Sequence, residues 1–125
     1  YSMRSILAVG LGGALGSLSR YGIVLLGKRF QWQFLGLPTF IANIIGCFLI
    51  GILFALALKE NRISEEMRLF LAVGFCGGLT TFSTFTVENF AYLNNKSYLI
   101  FALYTATSIF FGLVAVWLGS LCIKN

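Results

Sequence analysis

Residues 74–90 of this chain read GFCGGLTTFSTFTVENF, a stretch that sets Thr80, Thr81, Ser83, Thr84 and Thr86 among glycines and phenylalanines. Adjacent glycines, Gly77 and Gly78, favour a break in a helix, and a broken helix in an apolar setting frees carbonyl oxygens that need donors or cations. Phe82 and Phe85 lie three residues apart and share one helical face. Core packing is the ordinary role for such a pair. Their setting among hydroxyls points further, because the edge of a phenyl ring carries partial positive charge and can face a small anion. Glu88 is the one acidic residue inside an apolar stretch, which makes it a functional candidate by default. Thr81 and Thr84 share its face and are its expected partners.

Other polar residues are fewer. Asn43 lies well inside an apolar run, one helical turn beyond Thr39. A buried amide needs both ends paired, so it either joins helices or lines a path, and helix joining is the first reading in isolation. Its NH2 group donates two hydrogen bonds, which suits an anion. Near the start, GLGGALGSLSRYG places Gly12 and Gly16 as a GxxxG pair, a packing signal rather than a phosphate loop, since no strand precedes it. Arg20 follows Gly16 by one turn and either snorkels to the interface or lends positive potential to a pore mouth. Tyr104 and Ser108 form a stripe with Gly112, flanked by Thr105 and Thr107, whose hydroxyls commonly bond backbone carbonyls. Histidine is absent, and Cys47, Cys76 and Cys122 stand singly, which points to inert buried thiols rather than zinc or a disulfide framework. No nucleophile–base pair or paired acids suggest catalysis.

The elements that must hold these residues follow from composition. The chain has 125 residues, 58% of them hydrophobic and only 10% charged. A soluble domain of this size carries roughly a quarter charged residues, so lipid is the expected solvent. Four apolar stretches, about 5–26, 35–58, 69–93 and 98–123, each reach the ~20 residues a helix needs to cross a bilayer. They make a single all-α membrane domain over residues 1–125, up-down-up-down, with the third helix broken at mid-membrane. KENRISEEMR, between the second and third stretches, is the one water-soluble segment. The first stretch is too long for a cleavable signal peptide and contains Arg20.

An even number of crossings puts both termini on one side, with Arg4, Lys59, Arg62, Arg68 and Lys124. Lys28, Arg29 and Lys96 fall on the other. That bias is weak under the positive-inside rule, so one orientation and a dual orientation stay near even. The net charge of +5 reads as interfacial anchoring rather than a nucleic-acid surface.

GGALGSLSRYG, the ANIIG segment around Asn43, and GFCGGLTTFSTF resemble the three signatures of the Fluc (CrcB) family of fluoride channels, and the likeness covers essentially the whole chain. It implies an antiparallel, dual-topology homodimer with two pores in a bacterial inner membrane, passing cytoplasmic fluoride outward down its electrochemical gradient and relieving its toxicity. It further implies a structural, untransported Na⁺ held by the main-chain carbonyls of Gly77 and Thr80. Asn43, Phe82 and Phe85 match the family's pore residues, with Ser83, Thr84, Thr39, Tyr104 and Ser108 expected along the same pathways. Gly112 falls where some relatives carry a hydroxyl, which shortens the polar track there. Arg20 and Glu88 are expected at a pore mouth or as buried charges.

The alternative is a small dual-topology, proton-coupled multidrug exporter. That chemistry calls for a carboxylate in the first helix, where this chain has Arg20. An accessory subunit that only packs against partners would have no use for so many hydroxyls in the third helix.

Overall fold

A computed structural model describes residues 2–32, 36–59 and 63–123. Four helical spans are each long and apolar enough to cross a membrane: Met3–Arg29, Leu37–Leu58, Glu65–Asn94 and Tyr98–Leu121. Among the described residues every regular element is helical. Leu35, expected to open the second span, and Arg62 and Lys124, counted for topology, lie outside the described residues.

Polar side chains set several of the helix ends. Ser2 accepts from the Ser5 N–H at 3.2 Å and caps the first helix. Lys28 and Arg29 fill that helix's last turn, where cations complement the dipole. The third span starts four residues earlier than its apolar run, because Ser64 accepts from Met67 N–H at 3.1 Å and Glu65 and Glu66 occupy the first turn. The last four residues of the expected soluble segment, Glu65–Arg68, are therefore helix. The second helix begins at Leu37-Pro38, with the proline in the first turn, where its missing N–H is no loss.

The first helix packs chiefly on the third span, and the second chiefly on the fourth. Gly12 and Gly16 are buried, and a methyl group on either would overlap a carbonyl oxygen of the third span, of Phe70 and Phe75 respectively. The GxxxG pair thus brings two backbones into direct contact.

Few side chains are deeply buried. Leu79 at 2% exposure and Ala42 at 0% mark the centre, while Leu11, Leu18, Phe54 and Trp117 are each at least 60% exposed. In water that surface would aggregate; in a bilayer it faces chains as apolar as itself. Cys76 is buried, but Cys122 is exposed, which corrects the reading of three buried thiols. Its position one residue past the last helix, beyond the packed region, accounts for this.

The third span is not a uniform α-helix. Glu65–Arg68 is α-helical, Leu69–Cys76 is wound as a wider π-helix, and Gly77–Leu79 returns to α. Thr80 is then extended (φ −85°, ψ 157°), and helix resumes over Ser83–Asn94. Gly77 has right-handed helical angles (φ −63°, ψ −37°), so the glycine pair stays in the coil and the chain departs from it beyond them. Any effect of Gly77→Ala therefore cannot come from left-handed strain.

Candidate functional site

Local chemistry explains the residues that follow Leu79. Thr80 turns both its N–H (3.0 Å) and its hydroxyl (2.9 Å) back onto the Cys76 carbonyl. Thr81 accepts from the Thr84 N–H at 3.2 Å, an N-cap arrangement that starts the next helix. The peptide of Thr81, freed from any helical ladder, is taken up by Asn43 on the second helix. Asn43 Nδ2 donates to Thr81 O at 3.1 Å, and Thr81 N–H donates to Asn43 Oδ1 at 2.8 Å. The amide thus joins two spans and retains one N–H for another acceptor. Gly46, one turn below, makes room for Thr80: a methyl group there would overlap Thr80 Cγ2.

Arg20 approaches the same region from the first helix. Its Nε donates to the Gly78 carbonyl at 3.2 Å, with the side chain half-buried. Hydrogen bonds around Thr80 end on the carbonyls of Cys76, Gly78, Thr81, Phe82 and Ser83. Among the described residues none ends on the carbonyl of Gly77 or of Thr80. Nor do any three His, Cys, Asp or Glu gather to hold a metal there. Two neutral backbone oxygens without donors fit a hard monovalent cation.

Asn43, Thr80, Thr81, Phe82, Phe85 and Ser108 line one pocket of about 300 Å³, completed by Phe40, Ile44, Cys47, Ile109 and Gly112. Phe82 precedes the resumed helix and is 77% exposed, while Phe85 is half-buried. Their ring centroids are 6.1 Å apart and tilted by 36°. Ser108 Oγ is buried and has no hydrogen-bond partner, nor has Thr105 Oγ1. Thr107, by contrast, donates to the Leu103 carbonyl at 2.6 Å. Ser83 is exposed, its hydroxyl 3.3 Å from that of Thr81, and Thr84 is half-buried.

Thr39, Tyr104 and Glu88 form a second cluster. Tyr104 donates to Glu88 Oε1 at 2.6 Å, and Thr39 donates to Oε2 at 3.0 Å. Neither of the partners expected for Glu88, Thr81 and Thr84, bonds it among the described residues: the resumed helix starts at Ser83, so Thr81 is off its face, and Glu88 turns to other spans. Tyr104 links the two clusters, with its ring centroid 5.0 Å from that of Phe85.

Sequence reading missed Gly36 altogether. It sits at the entrance of the second helix with φ 69°, and a Cβ there would lie 2.7 Å from the Tyr104 ring and 3.1 Å from Glu88 Oε1. The signal available was a glycine two residues before a proline, a helix-entry pattern. Gly36→Ala is expected to destabilise the protein by about 1–3 kcal/mol, combining left-handed strain with the clash. Thermal unfolding in detergent checks this, and an unchanged midpoint would contradict the close approach.

Fold and site together define a small, multi-pass helical membrane protein whose polar groups converge on the irregular part of its third span. A family model described as "CrcB-like protein, Camphor Resistance (CrcB)" matches residues 7–120. The chain belongs to that family. The "Fluoride-specific ion channel FluC" of Gloeothece citriformis is 46% identical over 126 residues, covering 98% of this chain and 99% of that protein. The protein of the same name from Azobacteroides pseudotrichonymphae is 42% identical over 117 residues, covering 94% of each. That of Flavobacterium psychrophilum is 41% identical over 123 residues, covering 98% of this chain and 99% of its own. All three carry the name of a channel and none that of an enzyme.

Proposed function

We propose that this chain is a passive fluoride channel of a bacterial inner membrane, working as an antiparallel homodimer with two pores. The observation that carries the reading is the pocket in which one free N–H of Asn43, the unpartnered hydroxyl of Ser108 and the rings of Phe82 and Phe85 meet. Fluoride is small and strongly hydrated, so a selective path must replace its water with compact donors. Amide, hydroxyl and ring-edge groups do so without the deep well that a lysine would create, and conduction requires binding weak enough to release. Ser83, Thr84, Thr39 and Tyr104 extend the donor set on either side. Arg20 adds positive potential near the path.

In this reading the exposed ring of Phe82 faces the pore of a partner copy rather than lipid. The third span is a broken membrane helix whose interruption lies near mid-membrane. The carbonyls of Gly77 and Thr80 from two copies would supply four neutral oxygens to one structural Na⁺, which joins the subunits without being transported. Fluoride leaves the cytoplasm down its electrochemical gradient, with no acid–base step and no energy source.

Purified protein in liposomes should release fluoride without ATP or a proton gradient and retain chloride. Equal rates for the two anions, or a strict need for a proton gradient, would overturn the channel reading. Exhaustive replacement of Na⁺ by a large organic cation should slow the flux or weaken the dimer. Full flux from an intact dimer without Na⁺ would remove the cation and leave the pore assignment standing.

A further inference from the structure

The two ends of the bundle carry charge differently. At the end with the first helix's N-terminus, Arg4 pairs with Glu66 at 3.2 Å and Arg68 lies 3.9 Å from Glu65. The opposite end carries Lys28, Arg29 and Lys96, all exposed. The chain has only four acidic residues, Glu60, Glu65, Glu66 and Glu88. Glu65 and Glu66 belong to the helix start at the paired end, and Glu60 lies outside the described residues. Glu88 is held by Tyr104 and Thr39 inside the span. Among the described residues, no acidic side chain is therefore left to neutralise the three cations.

Aromatic groups accompany them. Arg29 Cζ lies 5.8 Å from the Phe30 ring centroid, and Phe30 stacks on Trp32 at 6.0 Å. Trp32 N–H donates to the Gly27 carbonyl at 2.7 Å, which folds this segment back onto the helix end with Gln31 at φ 61°. Tyr98, 60% exposed, follows Lys96 at the tip of the other turn on this end. Tryptophan, tyrosine and exposed cations are the groups that settle at the headgroup level of a bilayer.

We propose that this end of the bundle binds the phosphate groups of anionic phospholipids through Lys28, Arg29 and Lys96, with Phe30, Trp32 and Tyr98 against the glycerol and upper chain region. Charge complementarity selects the partner: three uncompensated cations at headgroup depth attract phosphates that carry net negative charge and gain much less from a zwitterionic lipid. Topology anchoring alone needs positive charge but no preference among lipids. The inference does not depend on which ion the chain passes.

Native mass spectrometry of the intact, detergent-released protein tests it, with phosphatidylglycerol, phosphatidylcholine and inorganic phosphate each added alone. Phosphatidylglycerol should be retained preferentially. Each of K28Q, R29Q and K96Q should weaken retention about fivefold, and the triple variant on the order of a hundredfold. The double variant R4Q/R68Q, at the paired end, should retain the lipid as the parent does, and K28R should too. The single variants carry the test if the triple variant does not fold. Equal retention of the two lipids, unchanged retention in the single variants, equal loss in R4Q/R68Q, or inorganic phosphate held as firmly as the lipid would each overturn the proposal.

Discussion

Asn43→Ala is expected to abolish most fluoride flux while leaving a folded, membrane-inserted protein. Both hydrogen bonds between the Asn43 amide and the Thr81 peptide disappear in this variant. At about 1 kcal/mol each, their loss releases the irregular segment by about 2 kcal/mol, or about thirtyfold in the population of the clamped geometry. The Thr81 peptide would then seek other partners in an apolar surrounding, and Phe82 would move with it. Asn43→Asp should fare no better, because a carboxylate accepts from Thr81 N–H but repels Thr81 O. Initial efflux rates from liposomes, normalised to protein content, decide the matter. Parent-like flux in Asn43→Ala would show that neither the clamp nor the remaining N–H is needed.

The second large effect is expected at Glu88. Its carboxylate accepts from Tyr104 at 2.6 Å and Thr39 at 3.0 Å, so one side chain ties the third span to the fourth and the second. Each such hydrogen bond contributes about 1 kcal/mol, and a hydroxyl stranded by its loss costs about 1–3 kcal/mol. Glu88→Ala removes both and strands two hydroxyls, for an expected loss on the order of 3 kcal/mol. Glu88→Gln should cost less than half as much, since hydroxyls rotate to suit an amide. Adding Tyr104→Phe to Glu88→Ala should cost little more, because the partner is already gone. Thermal unfolding of the single and double variants in detergent measures that coupling. Strict additivity would mean that the two side chains act independently.

How far the chain could be read before its structure was known differs by scale. The four spans were legible because length and hydropathy suffice to define a membrane helix, and Gly12 and Gly16 declared their packing face by spacing alone. The site was legible as a list of residues but not as an arrangement. Asn43 and Thr81 are 38 residues apart, and Thr39 and Glu88 are 49 apart. No local pattern announces such pairs. The expected partners of Glu88 were chosen by counting along an unbroken helix, and that count fails once Thr80 leaves the coil. The glycine pair drew attention away from the residues that follow it. Thr81 and Thr84 already had cap spacing, and Thr80 and Thr81 are β-branched, a poor choice for continuing a helix. The π-helical winding of Leu69–Cys76 had no signal, since an apolar run reads alike in either coil.

That winding sets the phase of everything beyond it. The residues of the third span nearest Gly12 and Gly16 are Phe70, Gly74 and Phe75, and then Leu79. Gly78 meets the adjoining Gly13. Their spacing of four to five residues matches a coil bonded from i to i+5, whereas an ordinary α-helix would carry each successive contact round its axis and off the first helix. The wider coil therefore works as a vernier, keeping a straight backbone seam for its whole length and delivering Thr80 and Thr81 to Asn43 at a fixed azimuth. Deleting one residue from it without a change of winding would turn the rest of the span by one residue's step about the axis, a full side-chain position. Apolar exchanges at exposed positions of this stretch such as Val73 leave that angle alone, whereas a methyl group on Gly74 would crowd the Val9 carbonyl; length is the property that cannot drift.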